Sequence, residues 1–267
     1  MKNVLLLIHD DAGQEARYQV ALDVVRGLEG HLSCLDVSII PVMVDDYVPT
    51  GGSALLLADE QAREKENGER MKARVAKEDV PYDWRDVTGD LAVSLAEASK
   101  LSDLIVINRQ LEGLHYPDMR GVAGELVVSA ETPVLAVPET ARGMDVAGHA
   151  LIAWDGSKCC DEALQAAVPL LKLATNVTLL EVDDGSIKTP AADAARYLSR
   201  HGIEPVIRTR QATVETVSDI LLSEVREQRA AYLVMGGYGH ARMLEAVFGG
   251  VTRRMLTESP VPLFLAH

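Results

Sequence analysis

The stretch Tyr232-Leu233-Val234-Met235-Gly236-Gly237-Tyr238-Gly239 decides the fold, because an apolar run passes directly into a glycine loop. The four residues Tyr232–Met235 have the composition of a buried strand. After nine intervening residues comes Gly249-Gly250-Val251-Thr252, and a helical pattern lies near Thr252–Leu256. A strand, a glycine loop and a helix in this order are typical of an α/β domain.

The rest of the second half of the chain alternates strands with helices. Short β-rich runs predict strands at Ala150–Trp154, Val177–Val182, Val206–Arg210, Tyr232–Met235 and Leu263–Leu265. Apolar residues at helical spacing predict helices through Ala163–Leu171, Ala191–Arg200 and Val217–Val225.

The first half repeats this order of elements. Strands are predicted at Val4–Ile8, Leu32–Ile39, Tyr82–Val87, Leu104–Ile107 and Val134–Val137, and helices at Ala16–Leu28, near Ala62–Val75, over Leu91–Leu101 and near Val122–Ser129. Such alternation predicts an α/β fold with two doubly wound, Rossmann-like parallel sheets in tandem. The Pro- and Gly-containing stretch Pro138–Gly148 reads as the linker between a first domain (residues 1–140) and a second (149–267).

The two halves of the chain differ in net charge. The formal net charge is −14, which argues against nucleic acid and anionic membranes as partners. Residues 1–145 hold 14 basic and 26 acidic side chains, whereas residues 146–267 hold 12 and 14, which gives −12 against −2. A polyanionic ligand therefore meets far less repulsion on the second half.

The cysteines and the N-terminal residues predict a cytoplasmic protein. Three cysteines, two of them the neighbours Cys159 and Cys160, form neither a disulfide framework nor a zinc motif. The run Val4–Ile8 is too short to span a bilayer and lacks the features of a signal peptide. We expect Cys159 and Cys160 to be buried or inert, against a redox or metal role.

The glycines of the second half predict a phosphate-binding loop. Gly236 and Gly239 follow a strand at the carboxyl edge of the predicted sheet, where glycine allows free φ angles and close approach of N–H groups to phosphate, and Gly237 lies between them as a further candidate. Gly249 and Gly250 open a helix whose first N–H groups attract an anion. The loop lacks the Walker lysine and the Rossmann GxGxxG pattern, and a tight loop with purely structural glycines is the alternative.

Three motifs of the second half resemble the universal stress protein family. They are Asp155-Gly156-Ser157, the sequence Met235–His240, and Gly249–Arg254. Nucleotide-binding members of that family share Gly-x-x-Gly-x9-Gly-[Ser/Thr], which fits Gly236, Gly239 and Gly249; Gly250 departs from it. The resemblance covers Ala150–His267 and, more loosely, Met1–Val137, and implies tandem domains of the adenine nucleotide alpha hydrolase-like type.

The resemblance implies roles for Asp155 and Val182, and the positions of the other residues in the loop and helix indicate theirs. Asp155 would contact the ribose hydroxyls and Val182 would meet the adenine edge through its backbone, while Asp155 as the N-cap of the following helix is the alternative. Val251 would lie at the phosphate-facing start of the last helix, and Thr252 would offer a hydroxyl or help to cap it. His240 either donates to phosphate or is solvated, and of Arg253 and Arg254 one would screen phosphate while the other meets water or an acidic neighbour.

The first half lacks this loop. Ile107-Asn108-Arg109 follows its fourth strand without a Gly-x-x-Gly motif, so we expect bulkier side chains to fill the phosphate space. Arg109 would hold another anion or, more simply, form a surface salt bridge. His9 and Asp10 end the first strand where Asp155 ends its counterpart.

The leading hypothesis is a cytoplasmic stress-response protein that binds ATP, ADP or AMP in its second half, with Mg²⁺ as the metal such a ligand would bring. The alternatives are a slow ATPase or nucleotidyl transferase that uses His240, Arg253 or Asp155, and an interaction module without a nucleotide. No Walker lysine or clear base adjoins the loop, so slow or no hydrolysis is expected. In the family, the last strand of each domain commonly pairs with its counterpart in a dimer. By that resemblance Val134–Val137 and Leu263–Leu265 would make the same pairing within one chain, and a further homodimer stays open.

Overall fold

A computed structural model of the protein describes residues 1–39, 52–109, 119–212, 214–238 and 250–267. One sheet is formed by ten strands of these residues: β1 Asn3–Ile8, β2 His31–Ile39, β3 Tyr82–Gly89, β4 Leu104–Asn108, β5 Val134–Val137, β6 His149–Trp154, β7 Asn176–Asp183, β8 Val206–Gln211, β9 Tyr232–Gly236 and β10 Leu263–Ala266. Their order in the sheet is β3-β2-β1-β4-β5-β10-β9-β6-β7-β8. Every neighbouring pair within each half is parallel, and only the central pair β5 and β10 is antiparallel. The predicted doubly wound α/β architecture is thereby confirmed.

The first half contributes five strands and four helices. Their bounds are β1 Asn3–Ile8, α1 Gln14–Leu28, β2 His31–Ile39, α2 Gly52–Val75, β3 Tyr82–Gly89, α3 Leu91–Ala98 with one turn of 3-10 helix at Ser99–Leu101, β4 Leu104–Asn108, α4 Met119–Ser129 and β5 Val134–Val137. Each of these elements is predicted by the sequence, and α2 begins ten residues before its predicted start at Ala62.

The second half repeats the arrangement. Its elements are β6 His149–Trp154, α5 Lys158–Leu171, β7 Asn176–Asp183, α6 Ala191–Arg200, β8 Val206–Gln211, α7 Val217–Glu227, β9 Tyr232–Gly236, α8 Val251–Glu258 and β10 Leu263–Ala266. All were expected, with bounds that differ by a few residues.

The two halves meet through their last strands. Leu263 pairs with Ala136, Phe264 with Leu135 and Leu265 with Val134 in an antiparallel register. The predicted pairing within one chain is confirmed, and it covers two sheet edges that would otherwise be exposed. Because the central pair is antiparallel, the strands of the two halves point in opposite directions.

The core lies on both faces of the sheet. Strand β1 is apolar and inaccessible from Val4 to Ile8, as expected for a parallel strand with helices above and below it. Two layers of buried side chains, one on each face, contain residues from both halves. The division into domains 1–140 and 149–267 stays a prediction, because the sheet and both layers run through the junction.

Among the described residues, no helix combines the length and the apolar character needed to cross a membrane.

Candidate functional site

The turn Asp155-Gly156-Ser157 connects β6 to α5. Ser157 is the N-cap of α5, and its Oγ accepts a hydrogen bond of 3.3 Å from the N–H of Cys160. The alternative that Asp155 caps this helix is therefore wrong. Oδ1 of Asp155 instead accepts from the N–H of Ser157 at 2.8 Å, which fixes the carboxylate at the carboxyl end of β6.

Gly156 is required by the turn itself. Its φ is +69°, in the left-handed region, and a Cβ there would lie 2.2 Å from the backbone N of Thr189. The Thr189 segment is held against the turn by two hydrogen bonds, one from Trp154 Nε1 to Thr189 O at 2.8 Å and one from Lys188 N to Asp155 O at 3.0 Å.

A cavity of about 480 Å³ opens beside this turn, at the carboxyl edge of the second-half sheet. That volume lies within the range of about 300–1,000 Å³ common for small-molecule sites. Six of the ten predicted site residues line it: Asp155, Val182, Gly236, Gly250, Val251 and Thr252. The structure therefore brings together residues that lie almost a hundred positions apart in the sequence.

One wall of the cavity is apolar and the rim is polar. The apolar wall consists of Ala153, Trp154, Leu180, Val217, Leu221 and Met235. Asp184 and Ser186 add polar groups on the rim, where Oδ1 of Asp184 accepts from both the N–H and the hydroxyl of Ser186. These eight residues were not predicted as site residues. Only Asp184 and Ser186 carried a usable signal, a polar turn directly after a buried strand.

Val182 offers its backbone to the cavity. The carbonyl of the next residue, Asp183, accepts from Ala212 N–H beyond the end of β8 at 3.0 Å. Successive carbonyls of a strand point to opposite neighbours, so the Val182 carbonyl points towards the β6 side. The paired part of β6 ends at Trp154 opposite Glu181, one residue earlier. The Val182 carbonyl is thereby directed beyond the end of β6, at the cavity.

The N-terminus of α8 forms another part of the wall. Gly250 is its N-cap and provides no side-chain cap, so the first N–H groups of the helix are available to an anion. Thr252 lies in the first turn and does not cap the helix; its Oγ accepts from the N–H of Tyr238 at 3.3 Å. This bond connects the cavity wall to the start of the glycine loop.

Gly236 does not use the free φ angle that was expected of it, and the same holds for its neighbour Gly237. Neither is among the glycines with positive φ. Gly236 lines the cavity and must lack a side chain because a Cβ would lie 2.7 Å from the backbone N of Cys160. Gly237 lies outside the cavity lining: its N–H donates to Ala266 O at 2.8 Å, and a Cβ would lie 2.5 Å from Val127 of the first half. Close packing, rather than unusual φ angles, explains both glycines.

The predicted site residues Gly239, His240 and Gly249 lie outside the described residues, and their roles stay predictions. Of the two arginines after them, Arg254 lies 2.6 Å from Asp219 and 3.1 Å from Glu258. This agrees with the expectation that one arginine meets an acidic neighbour. The hydrogen bond from Arg254 lowers the pKa of Asp219 to about 2.

Cys159 and Cys160 are buried, as expected. Cys160 lies behind the cavity, where burial raises its pKa to about 12. Burial also raises the pKa of Cys159, whose Sγ lies 3.3 Å from Nδ1 of His267. Neither thiol is activated, because a reactive cysteine needs a lowered pKa. In the part of the chain that the structure describes, no three His, Cys, Asp or Glu side chains are placed to hold a metal ion.

The corresponding edge of the first half is filled by protein side chains. The guanidinium of Arg17, fully buried, lies at the ends of β1 and β4 and bonds to Leu7 O, His9 O, Asp11 and Asn108. A Cβ on the neighbouring Gly13 would lie 2.4 Å from the Asn108 side chain. Bulky side chains are therefore present at the ends of β1 and β4, as expected, whereas residues 110–118, which follow β4, lie outside the described residues.

Two further side chains make contacts close to this edge. Nδ1 of His9 lies 2.8 Å from Oε1 of the equally buried Glu64 on α2. The predicted candidate Arg109 donates from Nη1 to Leu256 O at 3.0 Å, at the C-terminal end of α8. Arg109 thus connects the two halves, a role that neither sequence alternative included.

Solved structures with the same architecture come from bacteria and archaea. A universal stress protein from Archaeoglobus fulgidus superimposes with a TM-score of 0.71 at 18% identity, over 98% of this chain and 95% of that one. The fold is that of a universal stress protein. A putative universal stress protein from Pseudomonas aeruginosa matches with a TM-score of 0.55 at 14% identity, over 99% and 93% of the two chains.

A functionally unknown protein from Pseudomonas aeruginosa shares the universal stress protein fold as well, with a TM-score of 0.56, 14% identity and coverage of 99% and 92%. No protein-family model matches the chain, and no curated protein sequence does. At identities of 14–18%, these superpositions establish the fold alone, and the function must be argued from the cavity.

Proposed function

We propose that the chain is a universal stress protein that binds ATP or a related adenine nucleotide in the cavity of its second half, while the first half is structural or regulatory. The observation that carries this proposal is the juxtaposition, around one cavity, of the Asp155 carboxylate, the Val182 carbonyl and the uncapped N-terminus of α8. The corresponding edge of the first half is occupied by Arg17.

Each part of an adenine nucleotide finds matching chemistry. The base would lie against the apolar wall, and its exocyclic amine would donate to the Val182 carbonyl. Ribose hydroxyls would donate to Asp155, a charge-assisted hydrogen bond. Phosphates would accept from the N–H groups of Val251 and Thr252, where the helix dipole favours negative charge. Mg²⁺, if it accompanies the nucleotide, would bind through the phosphates.

The distribution of charge also favours nucleotide binding in the second half. Residues 146–267 carry a formal charge of −2, against −12 for residues 1–145, so the phosphates meet less repulsion there. The loop residues Gly239, His240 and Gly249 would add further N–H groups by the pattern of the sequence.

Mass spectrometry of ligand released from the denatured protein, followed by calorimetry with ATP, ADP and AMP, tests the proposal. We expect an adenine nucleotide to bind, and Asp155→Asn to weaken binding about tenfold, because the amide keeps the turn acceptor but loses the charge. Asp193→Asn, on an exposed carboxylate of α6, is the matched control and should bind normally.

Absence of affinity at millimolar nucleotide would refute the assignment, as would unchanged binding by Asp155→Asn. Phosphate release measured on the same samples separates simple binding from the slow ATPase alternative.

A further inference from the structure

Helix α4 of the first half lies against the start of the glycine loop of the second half. The Tyr238 ring covers Gly124 in the middle of α4, and a Cβ there would lie 2.3 Å from Oη and 3.0 Å from Cζ. One position earlier in the loop, a Cβ on Gly237 would collide with Val127 of α4. The loop and α4 therefore approach each other closely because Gly124 and Gly237 have no side chains.

Both partners in the Gly124–Tyr238 contact are in locally unfavourable states. Tyr238 has φ +55°, in the left-handed region that non-glycine residues seldom adopt. Glycine inside a helix is less favourable than alanine. Such features persist only where the surrounding structure over-determines them, and they concentrate at ligand sites. Because Gly124 has no side chain, the Tyr238 ring can occupy the space above it.

The backbone of Tyr238 leads from this contact to the cavity. Its N–H donates to Oγ1 of Thr252 at 3.3 Å, and Thr252 lines the cavity in the first turn of α8. The adjacent Gly237 is fixed on both sides, by its N–H to Ala266 O and by its carbonyl, which lies 2.9 Å from Nδ1 of His267. Tyr238 is thus the first loop residue whose conformation depends on α4.

We infer that the Gly124–Tyr238 contact positions Thr252, at the start of α8, through the Tyr238 N–H, so that the first half positions the nucleotide site without touching the ligand. Tyr238 is a positioning residue in this arrangement. The inference rests on the proposed function and adds a role for the first half. Coupling is reciprocal, so nucleotide binding must in turn stabilise the packing of α4 against the loop.

The two glycines of α4 provide a matched pair of variants. Gly124→Ala places a methyl group where the Tyr238 ring lies, whereas a Cβ at Gly121 would have no atom of the described residues within 4 Å. Both changes replace a helical glycine by a better helix former. By calorimetry we expect Gly124→Ala to weaken nucleotide binding about tenfold, within the usual range of coupling between sites, and Gly121→Ala to bind as the wild type does.

A double-variant cycle identifies the mediator. Tyr238→Gly removes the ring and accepts a positive φ, so adding Gly124→Ala to it should cause no further loss of affinity. Hydrogen exchange supplies an independent readout: nucleotide should protect amides of α4 in the wild type and in Gly121→Ala, but less so in Tyr238→Gly. If Gly124→Ala fails to fold, Tyr238→Gly carries the test from the other side of the contact.

The outcomes are distinguishable. A wild-type protein that binds no nucleotide refutes the proposed function and this inference with it. Equal affinities in the wild type, Gly121→Ala and Gly124→Ala, or additive losses in the cycle, refute the inference alone and leave nucleotide binding intact.

Discussion

Replacing Arg17 by methionine tests whether the first-half edge is closed by a buried ionic network. The Arg17 guanidinium donates to Leu7 O at 2.8 Å, Asp11 at 2.7 Å, Asn108 at 2.6 Å and His9 O at 2.7 Å. Arg17→Met would leave the Asp11 carboxylate, whose side chain is 0% exposed, without its cation. Breaking a buried pair in this way costs about 3–5 kcal/mol.

A loss of that size is a large part of the roughly 5–15 kcal/mol that stabilises a typical domain. Urea unfolding followed by circular dichroism measures it as a lower midpoint at unchanged slope. Arg26→Met is the matched control on the same helix: Arg26 is 42% exposed and pairs with Glu78, so its loss should cost less than about 1 kcal/mol.

A second variant separates the lost cation from the lost volume. In Arg17→Met with Asp11→Asn the stranded carboxylate is replaced by a neutral amide that can still accept from Gly13 N–H, and part of the lost stability should return. A loss below about 1 kcal/mol in Arg17→Met, or no recovery in the double variant, would show that this network does not hold the edge closed.

Two further predictions concern the second-half turn and the buried carboxyl of Asp36, which lines a pocket between α2 and the ends of β2 and β3. Gly156→Ala should be less stable than Gly202→Ala, because both positions have positive φ but only Gly156 would force its Cβ to 2.2 Å from Thr189; equal unfolding midpoints would contradict the clash. Burial, aided by Glu64, raises the pKa of Asp36 to about 7 from 3.8, so between about pH 4 and 7 the folded state holds a proton that the unfolded chain has lost. The stability contributed by Asp36 therefore falls as pH rises through this window. Between pH 4 and pH 8 the urea midpoint of Asp36→Asn should rise relative to that of the wild type. A difference in midpoint that does not change with pH would refute the raised pKa of Asp36.

The strand and helix pattern could be predicted from the sequence because each element has a clear period and clear ends. Val4–Ile8 and Tyr232–Met235 are continuous apolar runs, which parallel strands covered on both faces require. The turn Asp155–Ser157 was placed correctly for the same reason, since it follows a buried strand.

The different contacts of the neighbouring glycines Gly236 and Gly237 could not be predicted from the sequence. Gly236 and Gly237 are the same residue type, but Gly236 is the last residue of β9 and Gly237 follows it, and the two positions meet different neighbours. One packs against α5 beside the cavity, and the other meets Val127 of the other half. Which contacts they make depends on tertiary packing that local patterns do not contain.

The closure of the first-half edge was predicted in outline only. The lack of Gly-x-x-Gly showed that bulkier residues occupy it, but Arg17 lies within a helical pattern where an arginine is normally solvated. Its acceptors come from β1, the loop after it and β4. Only the assembled sheet brings them within hydrogen-bond distance of one side chain.

The antiparallel pairing of β5 with β10 has an evolutionary consequence. In a symmetric dimer built around such a strand pair, every contact occurs twice and a single mutation alters both copies. Covalent fusion removes that constraint: here Tyr238 rests on Gly124 on one side of the junction, while Arg109 reaches Leu256 O on the other. The ends of β1 and β4 can therefore be closed by Arg17 while the corresponding position of the second half keeps a cavity, a divergence that identical subunits cannot achieve.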